Sequence, residues 1–235
     1  TNDKSDRTIS TRLSALSSLF DDLASNQIIE SNPAQYVKRP KMDHGKVVTE
    51  RLSEGQMLEM MDGPDKSTLK GLRDWVFLSI LFGTGCRISE VCNLSVKDNY
   101  GVDTYFVLKF IVKGGKEHTV AISPTLQSRI NQYLELSGHG DTPDSPLLLS
   151  YSNRTIGSQK HITTGSGTHI WNRYRVETKS TPHASRSTFA SEAIRRGETL
   201  INVQDTLAHA DPRTTLKYNK NEKDLKNSVA LGARI

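Results

Sequence analysis

One stretch breaks the rhythm of this chain and limits the folds open to it. Residues 104–112 (TYFVLKFIV) are crowded with β-branched and aromatic side chains, Gly114-Gly115 offers a turn, and 118–122 returns in the same style. That is a hairpin signal. Elsewhere the apolar residues recur at helical spacing. Ile9, Leu13, Leu16, Leu19, Phe20 and Leu23 mark an amphipathic helix over 8–25, and 69–82 is apolar enough for a buried one. Gly83 and Gly85 close that helix, and another begins over 88–94. Further helices are expected at 125–136, 167–177, 184–196, 200–208 and 212–217, with Gly-, Ser- and Asp-rich loops over 138–166. The expected class is mainly α (α+β), with one small antiparallel sheet inserted among helices.

The chain also changes character near its first fifth. Ser31-Asn32-Pro33 begins a short turn plus helix that Pro40 ends, and 38–50 (KRPKMDHGKVVTE) is charged and apolar-poor. The expected division is 1–40, a linker at 41–50, and a second domain over 51–235 that Ser53 and Gln56 open as a capping box. Because it starts at Thr1, the sequence reads as a fragment or a processed chain. No run approaches the ~18 apolar residues of a membrane span and no signal peptide is visible, so a cytoplasmic location is expected. The net charge of +5 is compatible with nucleic acid and with many small-molecule enzymes, and its distribution says more. Lys38, Arg39 and Lys41 cluster around Pro40; Lys109, Lys113 and Lys116 share the hairpin; Arg173, Arg175, Lys179, Arg186, Arg195 and Arg196 crowd a third region. Taken singly, each of these reads as part of a solvated face. The two cysteines, Cys86 and Cys92, read as reduced buried thiols.

The chemistry gathers late in the sequence. His183-Ala184-Ser185-Arg186 follows Pro182, Leu207-Ala208-His209 comes next, and Tyr218 lies nine residues beyond that histidine. Upstream, Gly83-Thr84-Gly85 leads into Arg87, with Glu90 three positions on. Arginine forks bind phosphate bidentately, histidines move protons or donate to oxyanions, and a tyrosine hydroxyl can act as a covalent nucleophile. Each also has a plain reading: Arg87 as a helix-start arginine paired with Glu90, His209 as a C-cap, Tyr218 as a packing tyrosine. Tyr218 differs in lying in a short polar segment without an apolar stripe. The glycines at 83 and 85 place Arg87 on a turn where backbone can come close to a ligand, and the Gly-Lys-Ser/Thr ending of a P-loop is missing. His183 and His209, with His118, His161 or His169, lack the spacing of a zinc motif, so no metal and no cofactor are expected.

In these residues the chain resembles the tyrosine recombinases, or phage integrases. Leu81 to Glu90 is similar to the family's first arginine box, and Val112 to Glu117 to the β-turn carrying its lysine. Thr181 to Arg186 resembles the His-x-x-Arg box, Leu207 to Asp211 the second histidine box, and Tyr218 stands at the nucleophile's spacing. Asn32-Pro33-Ala34 followed by Lys41 is similar to the end of the family's helical core-binding domain, whose earlier helices would be partly missing here. The resemblance implies catalytic roles for Arg87, Lys113, His183, Arg186, His209 and Tyr218, support from Glu90, and DNA contacts from Lys38, Arg39, Lys41 and Lys116. Lys113 and Lys116 flank one turn and either could reach a phosphate; the position before the two glycines fits better, which favours Lys113. Ser185 and Ser187 depart from the family pattern. The implied partners are a double-stranded DNA recombination site and three further copies of the chain, the tail after Tyr218 docking on a neighbour through Leu225, Val229, Ala230 and Leu231 or folding back on its own domain. A non-catalytic DNA-binding protein of the same fold, or a nicking-closing topoisomerase, is the alternative.

Overall fold

The computed structural model describes residues 4–40, 51–151, 160–176 and 179–208, arranged in two units, Thr1–Val48 and Thr49–Ile235. In the first unit, α1 (Asp6–Ser25) starts at Ser5, whose hydroxyl accepts the amide of Thr8. The helix expected after Ser31-Asn32-Pro33 does not form, and the segment is a turn. The cause is Asn32. Its side-chain amide donates to the Ser17 carbonyl (3.1 Å) and to Asp21 Oδ1 (2.7 Å), while its oxygen accepts from Ala34 N (2.8 Å). Those bonds hold the backbone in an Asx-type turn and leave nothing to propagate. Leu16 and Leu19 on the apolar stripe of α1 remain exposed.

The second unit opens with α2 (Glu54–Asp62), where Ser53 and Gln56 form the expected reciprocal cap. Then come α3 (Leu69–Thr84), α4 (Ile88–Cys92), a 3-10 turn (Val96–Asp98), β1 (Asn99–Val102), β2 (Tyr105–Val112) and β3 (Lys116–Ile122). The remaining described elements are α5 (Pro124–Ser137), α6 (Thr164–Tyr174), α7 (His183–Arg195) and α8 (Leu200–Thr206). The sheet is antiparallel in the order β1-β2-β3, with Phe110 opposite His118 and Val112 opposite Lys116. Gly114 and Gly115, at φ of 89° and 75°, make the reversal that residues with a Cβ resist. Strand β1 has no propensity signal of its own; Asn99-Tyr100-Gly101-Val102 becomes a strand by pairing along β2.

Helix α3 is the centre of the core. Val76, Phe77, Leu78, Ile80 and Leu81 are fully buried and pack with Leu108 and Phe110 of β2, Ile130 and Tyr133 of α5, and Trp171 of α6. A smaller cluster joins Ala190, Ala193, Val203 and Leu207 of α7 and the α8 end with Phe189 and Ile194. Helix α6 runs earlier than its apolar pattern suggests, from 164 to 174 rather than 167 to 177, because the Thr163 hydroxyl caps it by accepting Ser166 N. Both cysteines are buried and free, Cys86 on the turn before α4 and Cys92 at its last position. The linker at 41–50, the helix expected at 212–217 and the tail after Tyr218 lie outside the described residues.

Candidate active site

The site is built on the turn between α3 and α4. Gly85 closes α3 in the left-handed conformation, with φ of 64°. A Cβ there would stand 2.6 Å from Leu207 Cδ2 and 2.7 Å from Phe189 Cδ1. The glycine therefore admits other protein segments, α7 and the end of α8, where the sequence suggested close approach of a ligand. Two residues on, Arg87 is the N-cap of α4, and Glu90 grips it twice. The carboxylate accepts the Arg87 backbone amide at 2.6 Å and the guanidinium Nη1 at 2.7 Å. The Arg87 side chain is 39% exposed and that of Glu90 only 6%, so a buried carboxylate aims a guanidinium that still meets solvent. The pairing leaves the Arg87 fork both held and open to solvent. Glu90 fixes the fork's orientation.

Arg186, on the first turns of α7, is 2% exposed. Its Nη1 donates to the Gly85 carbonyl at 2.8 Å and its Nη2 to the carbonyl of Leu207. One planar side chain therefore ties the segment two residues before Arg87 to the segment two residues before His209. His183 sits exposed at the start of α7, its pKa held below the ordinary histidine value. Lost solvation around the ring is the larger cause, and the positive charges of Arg186 and then Arg87 add to it. The three groups share one electrostatic neighbourhood. Ser185 and Ser187 tie α7 to its own first turn: Ser185 Oγ donates to Pro182 O (2.7 Å) and Ser187 Oγ to His183 O (3.4 Å).

The end of α8 is held from two sides. Arg186 takes the Leu207 carbonyl, and His118 of β3, through Nε2, donates to the adjacent Thr206 carbonyl at 2.9 Å. Ala208 then turns the chain with φ of 47°, directly ahead of His209. Lys113 and Lys116 occupy the exposed tip of the β2–β3 hairpin. Lys38 and Arg39 belong to the first unit, where Arg39 Nη1 donates to Ser14 Oγ at 2.9 Å. His209, Tyr218 and Lys41 lie outside the described residues.

A buried support network escaped the sequence reading. Asp74 is fully buried in α3 and receives Arg73 Nε (2.6 Å), Tyr174 Oη (2.9 Å) and Arg173 Nη1 (3.4 Å). Arg73 also donates to the Leu149 carbonyl, and the indole of Trp171 donates to Ser180 O at 3.1 Å, three residues before His183. Together they fix the end of α6 and the approach to α7. A carboxylate inside an otherwise apolar helical run was the available signal. The basic crowd around 173–196 is correspondingly less free than it reads, since Arg186 is buried, Arg173 pairs with Asp74, and Arg195 pairs with Glu192 at 2.6 Å. His118 and His161 use a ring nitrogen on backbone carbonyls, those of Thr206 and Cys92. Among the described residues no three His, Cys, Asp or Glu side chains gather as a metal site.

The family model described as "Phage integrase family" matches residues 50–224, a stretch that includes both arginines and Tyr218. A tyrosine recombinase XerC of Myxococcus xanthus is 27% identical over 216 residues, 89% of this chain and 70% of that protein. One from Bacillus pumilus is 31% identical over 233 residues, 93% of this chain and 72% of that protein. Among solved structures, the XerH site-specific recombinase bound to palindromic difH substrate, a post-cleavage complex, aligns with a TM-score of 0.69 at 19% identity, covering 97% of this chain and 72% of that one. A lambda integrase dimer bound to a COC′ core site gives 0.68 at 18% identity, covering 93% and 61%. A helical enzyme domain carrying a small antiparallel sheet is the catalytic fold of the site-specific tyrosine recombinases. The chain belongs to the phage integrase family. Among the described residues, no helix is long and apolar enough to cross a membrane.

Proposed function

We propose that this chain cleaves and rejoins a DNA recombination site through a 3′-phosphotyrosyl intermediate, without metal or ATP. Tyr218 Oη attacks the scissile phosphorus, the P–O5′ bond breaks, and the phosphodiester's energy is kept in the new P–O bond. The tyrosine proton passes to His183, whose lowered pKa keeps it neutral and able to accept near pH 7. Lys113 gives a proton to the departing O5′, otherwise a poor leaving group. Arg87 and His209 stabilise charge growing on the non-bridging oxygens, each such donor being worth roughly 3 kcal/mol; Arg186, 2% exposed and bonded to the Gly85 and Leu207 carbonyls, joins them once DNA binding uncovers its guanidinium. A 5′-hydroxyl of a second duplex then reverses the attack and exchanges strands.

The observation that carries this reading is the single side chain of Arg186 binding the carbonyls of Gly85 and Leu207, since it draws the Arg87 turn and the approach to His209 to one place. A XerH complex with cleaved difH substrate and a lambda integrase tetramer on a Holliday junction are the kinds of assembly the reading implies. A DNA-bound homotetramer follows, with the tail after Tyr218 docked on a neighbour. The first unit, through Lys38, Arg39 and Lys41, acts as part of the DNA-gripping core-binding domain, and Lys116 adds a contact beside Lys113.

The test is covalent trapping on a nicked suicide duplex carrying a site from the element that encodes the chain. A 3′ adduct that disappears in Tyr218→Phe supports the proposal. Binding without any adduct identifies an architectural DNA-binding protein instead, and relaxation of supercoils without exchange between two sites identifies a nicking-closing topoisomerase.

A further inference from the structure

We infer that His118 is a positioning residue that fixes the Lys113 hairpin to the end of α8, so that proton donation to the leaving O5′ depends on it. The inference rests on the proposed roles of Lys113 and Tyr218 and adds a residue to them. His118 faces Phe110 across the β2–β3 ladder, on the side of the sheet that carries buried Leu108, Phe110 and Val120. Its ring leaves that side to reach α8, where Nε2 lies 2.9 Å from the Thr206 carbonyl. A carbonyl only accepts, so Nε2 carries the proton. The last carbonyls of a helix have no partner within it and bear its negative end, which makes Thr206 O a strong acceptor.

The position of this anchor along the hairpin gives it leverage. Beyond the Phe110–His118 pair, only the pairs Ile111–Glu117 and Val112–Lys116 remain before the turn. Lys113 is three residues past Phe110, about 10 Å along an extended strand. Both residues of the turn that follow it are glycines at positive φ, and Lys113 itself is exposed. Val112, beside Lys113, packs on the core, and the last polar anchor below the tip is His118. That anchor is bonded to the residue preceding Leu207, whose own carbonyl Arg186 holds. Through His118 the proton donor's strand and the guanidinium-bound end of α8 share one frame. Without the bond, the hairpin keeps its ladder but loses its reference to the scissile phosphate. A misplacement of about 1 Å is worth on the order of a hundredfold in rate.

The experiment compares two suicide duplexes, one with the natural scissile phosphodiester and one in which sulfur replaces the bridging O5′. A thiolate leaves without being protonated, so only a defect in proton delivery is relieved by sulfur. His118→Phe keeps the ring's bulk and removes the donor; His118→Gln keeps an amide N–H able to reach Thr206 O. The expected result is adduct formation slowed about tenfold or more in His118→Phe on the oxygen substrate, restored to within about threefold of wild type on the sulfur substrate, and near wild type in His118→Gln. Two results overturn the inference: a His118→Phe rate equal to wild type on oxygen, or an equal loss on both substrates. Lys113→Ala serves as the separate control. If sulfur fails to rescue it, the assignment of Lys113 as proton donor fails, whatever His118 does. Rates are taken per folded molecule, the folded fraction coming from thermal melting of both His118 variants, so an equal loss on both substrates reflects the site and not lost folding.

Discussion

Substituting Glu90 by glutamine separates the aiming of Arg87 from the capping of α4. The carboxylate makes two bonds to one residue, 2.6 Å to the Arg87 amide and 2.7 Å to its guanidinium. Glutamine retains an oxygen that caps the amide, as it does in an ordinary capping box, but loses the charge that holds the fork. A hydrogen bond to a charged group contributes about 1.5–3 kcal/mol. Since the Arg87 side chain is 39% exposed, solvent screens the pair and the lower end of that range applies. About 1.5 kcal/mol of lost orientation corresponds to roughly a tenfold fall in the single-turnover rate of covalent adduct formation. Tm should fall by no more than about 3–6 °C, at about 2–4 °C for each ~1 kcal/mol in a domain of this size. Glu90→Ala removes the cap as well and should lower Tm by a similar further amount. Glu90→Gln cleaving at the wild-type rate, measured under enzyme excess on a suicide substrate, would refute the idea that this carboxylate aims the guanidinium.

Asp74→Asn leaves Arg73 buried beside a neutral partner and should cost about 3 kcal/mol. Thermal melting should show a fall of roughly 6–12 °C, with DNA affinity per folded molecule retained. For His183 the signs follow from its depressed pKa. The neutral, proton-accepting ring persists below the ordinary value near 6.5, so adduct formation should rise with pH to a plateau whose midpoint lies under ~6.5. Stability associated with the same group is complete above about 6.5 and is lost as pH falls toward the folded value, because the unfolded chain takes up the proton first. His183→Gln should flatten that part of the Tm–pH curve.

The elements legible in the sequence were those whose signal is local. The hairpin, the capping box at Ser53 and the α1 stripe all rest on residues within a few positions of one another. Strand β1 was not legible because Asn99-Tyr100-Gly101-Val102 is a strand only by virtue of its partner. The Asp74 network was hidden for a related reason: Arg73 reaches Leu149 across 76 positions and Tyr174 reaches Asp74 across 100. Arg87 and Glu90 could be paired from their spacing alone. The burial of Arg186 could not, since it donates to the backbone carbonyls of Gly85 and Leu207, which no side-chain pattern records. The His118 bond to Thr206 is illegible for the same reason, its acceptor being a backbone carbonyl 88 positions away.

The two cysteines carry a practical consequence. Cys86, next to Arg87, and Cys92 are both enclosed, and burial pushes each thiol up to about 12. At neutral pH neither presents a thiolate, so maleimides and mild oxidants should pass them by. A single cysteine introduced at an exposed position such as Glu117 or Lys116 would then be the one nucleophilic sulfur in the protein. Fluorophores could be attached there without first removing the native thiols, and the hairpin's motion on DNA followed in real time.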